Sequence, residues 1–293
     1  MNPRILEPFF NNYLKVKITM AEKKYIALRA RLLLTLACFM FFSLPAGAAC
    51  RNPNFVMAPS PWIVRAAASD SGFVNITWFG HSFFQITSSK GTKIITDPFR
   101  YLGYPMPEVW PHVVTVGKET GNHNNVGLAN GEPLVLRGMK PWGIDWNEVS
   151  TTVRDVLIYN VPIHNRAWVE SFKGSAFVFE MDGLCITHVG DLGLPFNEDQ
   201  LNLLGHIDIL LVPIGGRFSM GPENAKQVIA QLKPKIAVPM HYRLGESQLE
   251  RLLDGPYPAR HLKTGTFSVS KDTLPPSTEI FIPRVVWHGY EED

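Results

Sequence analysis

From residue 73 the chain concentrates β-branched and aromatic residues in short runs, FVNITWF (73–79), FFQITSS (83–89) and TKIITDPF (92–99), with a turn at Lys90 and Gly91. Such runs around a glycine turn predict strands joined as hairpins. VVTV (113–116) and DVLIYNVPI (155–163) read the same way, and SAFVFEMDGLCITHV (175–189) reads as a hairpin turning at Asp182-Gly183. After Asp191 helices begin to alternate with strands. NEDQLNLLG (197–205) predicts a short helix before the strand IDILLVPIG (207–215). In PENAKQVIAQLKP (222–234), Ala225, Val228, Ile229 and Leu232 fall at helical spacing, and Pro222 suits a first helical turn. KIAVPMHY (235–242) predicts a strand and ESQLERLLDG (246–255) a helix that Gly255 ends. An antiparallel first part and a β-α-β second part predict an α/β domain with sheets covered by helices.

The stretch before residue 73 has another character. Leu32 to Leu44 is an apolar run of 13 that follows Arg29 and Arg31 and precedes Pro45 and an A-x-A pattern at Ala46 and Ala48. A positive segment, a short apolar run and small residues describe a secretory signal peptide over residues 1–48, and the run is short for a bilayer span. Met20 offers a more ordinary start, so residues 1–19 read as an over-extended one. Residues 49–72 form an N-terminal segment and 73–293 the domain. The expected location is exported and periplasmic. Cys50, just after the small residues, opens the further option of a lipid-modified N-terminal cysteine, so membrane contact is expected only through the leader or such a lipid.

Composition refines this picture. The 293 residues are 45% hydrophobic and 18% charged, which suits a globular chain with a large core. The net charge of +2 belongs to the leader: its seven basic and two acidic residues reduce the totals of 28 and 26 to 21 and 24 in the remainder. No basic face suited to nucleic acid is therefore expected, and a small-molecule substrate is. Cys185 lies in an apolar run and reads as a buried free thiol, although export would permit a disulfide.

The histidines are unevenly placed. His123 falls in the loop after VVTV, His164 directly follows DVLIYNVPI, and His241 follows KIAVPM; Asp191 closes the loop after LCITHV. Four predicted strands thus each deliver a metal-competent side chain at their C-terminal ends, where open α/β architectures place ligands. Imidazole and carboxylate suit Zn, Mn or Fe, and a bound ion lowers the pKa of its water to roughly 7.

ITWFGHSFFQI, KIITDPF, THVGDLG, DILLVPIGG and LKPKIAVPMHY, in this order, resemble the metallo-β-lactamase superfamily, in particular its ascorbate-6-phosphate lactonase-like branch. The resemblance implies an αββα sandwich with one or two metal ions at the rim between two sheets. It also implies that the motif H-x-H-x-D-H falls on Lys118, Thr120, Asn122 and His123, of which only the last is retained. His164 matches a ligand of the first metal site, Asp191 the bridging carboxylate and His241 a ligand of the second site. The expectation is then one divalent ion on His123, Asp191 and His241, with Asn122 as a weaker oxygen ligand and His164 in reach. Asp191 and His164 are the expected catalytic residues, with water on the ion attacking an ester, lactone or phosphodiester. His81 and Asp97 match positions whose role is to hold ligands by hydrogen bonds. The competing expectation is a metal-free, non-catalytic relative in which Lys118 takes the vacated position and pairs with Asp191. The aromatic and proline-rich segments 101–112 and 141–146 could line a substrate pocket.

Overall fold

The computed structural model describes residues 50–52, 72–100, 102–165, 173–242 and 247–285. The chain divides into two compact units, Met1–Ala46 and Gly47–Asp293, and every described residue belongs to the second. The expected leader, and most of segment 49–72, lie outside the described residues.

The early strands are β1 (Val74–Gly80), β2 (Phe83–Thr87), β3 (Lys93–Thr96), β4 (Val113–Val116) and β5 (Leu134–Arg137). Then follow β6 (Ser150–Val153), β7 (Val156–His164), β8 (Lys173–Met181) and β9 (Leu184–His188). The later part runs α1 (Glu198–Leu204), β10 (Ile209–Pro213), α2 (Pro222–Leu232), β11 (Ile236–Met240) and α3 (Ser247–Leu253). It ends with β12 (Ala259–His261), β13 (Thr266–Val269) and β14 (Glu279–Ile282).

These strands form two sheets. One has six strands in the order β13-β1-β2-β3-β4-β5, and the other eight in the order β12-β14-β11-β10-β9-β8-β7-β6. β9, β10 and β11 run parallel, with Ile209 opposite Ile186 on one side and Ile236 on the other. All three are buried along their whole length, which is why they read as unbroken apolar runs: a parallel strand covered on both faces has no polar side to show. Between the sheets, Ile76, Trp78, Phe84 and Ile86 of the first pack with Phe177, Phe179, Ile186 and Leu211 of the second in one continuous core.

Among the described residues, α-helices occur only after β9, on the eight-stranded sheet. α1 carries a capping box between Asn197 and Gln200, and α2 buries Ala225, Val228 and Ile229. A separate cluster of Phe83, Ile95, Phe99, Tyr104, Val109, Val114 and Val116, with Leu102, Val126 and Leu128 packed against it, belongs to the six-stranded sheet. Two facing sheets with helices on the second give the expected α/β architecture, and among the described residues short connecting segments cover the six-stranded sheet.

The thiol expectation is corrected. Cys185 is not free: it forms a disulfide with Cys50. The bridge closes a separation of 135 residues and on chain-entropy grounds contributes about 2–4 kcal/mol. It also removes the lipid option in this state, because the Cys50 sulfur cannot carry a thioether and a disulfide together. The staple is well seated. Cys50 is fully buried and its carbonyl accepts the His206 N–H, while Arg51 lies over the Tyr159 ring.

Candidate metal centre

Both sheets end at a common rim, and each supplies part of the site. From the six-stranded sheet come His81 in the turn after β1, Asp97 directly after β3, and Lys118 and His123 in the loop after β4. The eight-stranded sheet contributes Asp191 after β9, Ser219 after β10 and His241 directly after β11. His81, Asp97 and His241 have left-handed backbones, with φ of 50°, 39° and 63°. Such conformations cost of order 1–3 kcal/mol each and persist where surrounding contacts enforce them, commonly at functional sites. One contact here is the His241 N–H on the His81 carbonyl, which ties the two strained turns across the sheets.

His81, His123 and His241 each offer a ligand atom, all within 4.8 Å of one another. The His81 and His241 rings stack at 4.0 Å between centroids. Each ring is held through Nδ1. That of His81 lies 3.0 Å from Ser82 Oγ and that of His123 2.9 Å from Asp97 Oδ2. The His241 Nδ1 lies 3.2 Å from Asp191 Oδ1 and 3.3 Å from Ser219 Oγ. Asp97 is itself fixed by the Gly117 N–H on Oδ1. The Nε2 of His241 is buried and has no hydrogen-bond partner among the described residues.

Asp191 is the electrostatic hinge of the group. Its Oδ2 takes the Lys118 ammonium at 2.5 Å, and its Oδ1 faces His123 Nε2 at 3.3 Å as well as His241. Burial alone would raise this carboxyl, yet His123, His241 and Lys118 together hold it well below the usual carboxylate range. His123 answers to the same pairing: burial pulls it down, but Asp191 and Asp97 overcome that and raise it to about 9. Burial lowers His241 to about 3, with Asp191 opposing and His123 adding repulsion. His81 is also held well below its ordinary value, by burial and then by its two histidine neighbours. Two neutral imidazoles thus stand beside one that carries a proton between two carboxylates.

Around this group lies a cavity of about 310 Å³, lined also by Thr120, Asn122, Gly215, Arg217 and Phe218. His123, Asp191 and His241 therefore come together as the sequence suggests, and Lys118, Thr120 and Asn122 border them. His164 does not join. It ends β7, and β8 separates that strand from β9; its ring meets the edge of Trp146 and lines no part of the cavity. Trp142 of segment 141–146 borders a different cavity with Glu119, Arg137 and Met139, and Tyr104 of segment 101–112 is buried. His81 belongs inside the group rather than behind it. The strand-end signal that singled out the other histidines applied equally to His81 at the end of ITWFG. Ser219 carried no such signal.

The model of the β-lactamase superfamily domain matches residues 75–241, more than half of the chain. The chain belongs to the β-lactamase superfamily. Among superfamily relatives, a protein of Pyrococcus abyssi named UPF0173 metal-dependent hydrolase is 32% identical over 200 residues, covering 58% of this chain and 84% of its own length. A protein of the same name from Thermococcus kodakarensis is 32% identical over 197 residues, with the same coverage of both chains. A solved structure from Thermotoga maritima, described as a candidate Zn-dependent hydrolase of the metallo-β-lactamase superfamily, is 29% identical. It superposes with a TM-score of 0.57 over 73% of this chain and 100% of its own.

The site residues fit a superfamily metal. Three convergent imidazoles, two of them neutral, and a buried Nε2 without a partner among the described residues are the donor set of an ion-binding centre. The Lys118 ammonium occupies only the Oδ2 side of Asp191 and leaves Oδ1 toward the histidines.

Proposed function

We propose that this chain is a metal-dependent hydrolase whose single divalent ion is held by His81, His123 and His241, with Asp191 beside them. The observation that carries the reading is the buried Nε2 of His241, without a partner among the described residues, within a group of three imidazoles. Nitrogen-rich coordination suits zinc, with manganese or iron as alternatives. When bound, such an ion supplies Lewis acidity and makes water a competent nucleophile near neutral pH.

The chain's own residues do the rest. Asp97 accepts from His123 Nδ1 and so turns Nε2 toward the centre, while His241 Nδ1 pairs with the Ser219 hydroxyl beside Asp191 Oδ1. His123 first, then His241 and Lys118, keep Asp191 ionised, and the Lys118 ammonium holds it in place through Oδ2, which lets Oδ1 orient a water by accepting its hydrogen bond. The cavity admits a small ester, lactone or phosphodiester, with Arg217 and Phe218 at its wall. Export is part of the proposal. Its support is the leader pattern of residues 1–48 together with the Cys50–Cys185 disulfide, a bond that persists in oxidising compartments.

A second reading has an observation of its own. Lys118 and the His123 imidazolium balance Asp191 and Asp97 without any ion, as a non-catalytic binding or interaction module would need. The test is turnover of nitrophenyl esters, a lactone and bis-nitrophenyl phosphate by the full chain with added Zn or Mn. The hydrolase reading expects metal-dependent turnover that Asp191→Ala abolishes. No turnover on any substrate, with or without metal, favours the module.

A further inference from the structure

His188 ends β9 at the floor of the site, fully buried, yet it does not line the cavity. Its Nε2 lies 2.9 Å from the Ser82 carbonyl. A carbonyl only accepts, so Nε2 carries the proton, and burial keeps the ring below its ordinary pKa. The other nitrogen, Nδ1, is buried without a partner among the described residues, beside the Phe84 ring. The Nε2–H on the Ser82 carbonyl is therefore the one hydrogen bond of this buried imidazole among the described residues.

That bond is well placed. Ser82 stands in the turn between β1 and β2 of the six-stranded sheet, whereas His188 belongs to the eight-stranded one. The Ser82 carbonyl also accepts the Thr96 hydroxyl, and the Ser82 hydroxyl donates to the Asp97 carbonyl. With its proton so committed, Ser82 Oγ must accept from His81 Nδ1. The tautomer of His81 follows: Nδ1 bears the proton and Nε2 bears the free lone pair. Asp191 lies three residues beyond His188 on the same strand-loop unit.

We infer that His188 is a positioning residue that pins the His81 turn of one sheet to the Asp191 strand of the other through Ser82, and so fixes His81 with Nε2 toward the centre. The bond works at one remove, since it holds the residue that holds the ligand.

The test uses the full chain in four versions: wild type, His188→Gln, which keeps an N–H at comparable reach, and His188→Leu and His188→Met, which do not. Two donor-less variants are included so that a packing failure in one leaves the other. Two quantities are read: zinc affinity by competition with a chromophoric chelator, and the His81 tautomer by 15N NMR in the metal-free protein. His188→Leu and His188→Met should weaken zinc binding by about 10–100-fold, as loss of an outer hydrogen-bond partner does, and mix the His81 tautomers. His188→Gln should recover most of both.

Wild-type affinity and tautomer in folded His188→Leu or His188→Met overturn the inference, as does Gln performing no better than Leu. The zinc measurement rests on the metal reading above, but the tautomer does not. A protein that binds no zinc, yet whose His81 tautomer depends on His188, therefore refutes the metal reading alone.

Discussion

The disulfide end and the metal rim of this domain are stabilised in opposite ways. Around Cys50 the chain is saturated: the side chain is buried, the carbonyl accepts from His206, and a covalent bond closes the loop. At the rim, buried groups are left short of partners. Among the described residues His241 Nε2 has none, three residues hold left-handed backbones, and His123 keeps a proton that an ion would have to displace. The first arrangement suits holding a chain in place. The second suits capturing something, because unsatisfied donor atoms and enforced strain are costs that a ligand can offset.

Substitutions can break this contrast. The largest effect on capture is expected from His241→Ala, which removes the orphaned donor; zinc affinity should fall by more than about 100-fold, beyond the usual loss for an outer-shell partner, as measured by chelator competition. Cys185→Ala should act on the other region: a loss of about 2–5 kcal/mol in unfolding free energy by denaturant titration under oxidising conditions, with the zinc affinity of the folded protein unchanged. A large drop in that affinity would show that the two regions are not separable.

Lys118→Met probes the boundary between capture and self-sufficiency. The buried Asp191 loses its closest cation, so the metal-free protein should lose about 1–3 kcal/mol. Added zinc should return part of this, since an ion that binds only the folded state stabilises it by mass action. Thermal melts with and without zinc measure the difference. The smallest effect is expected from His164→Ala. Its ring faces Trp146 outside the cavity, and zinc affinity should stay within about twofold of wild type, well below the cost of a true supporting residue.

The chain's central strands were legible because burial on both faces leaves a mark in the sequence: ILLVP of β10 and IAVPM of β11 are apolar throughout. Edge and late strands were not. STTV of β6 and ARH of β12 are short and largely polar or exposed, and pairing with a neighbour rather than intrinsic preference makes them strands. Within the site, strand ends singled out His123, Asp191 and His241, which the fold brings together. The same signal applied to His164, whose ring faces Trp146 outside the cavity, because being at the end of a strand says nothing of how many strands away the cavity lies. The Cys50–Cys185 bond was hidden for a related reason: an apolar run around Cys185 looks alike whether its thiol is free or bonded to a residue 135 positions earlier.

The claim that three imidazoles form one ion site is tested most directly by metal stoichiometry. Full-length protein purified without chelators or affinity-column metal, then dialysed against trace zinc, should hold one equivalent per chain, and the equivalent should disappear in the His81→Ala, His123→Ala and His241→Ala variants alike. No bound metal in the wild type would contradict the account, as would an equivalent that survives the loss of His81.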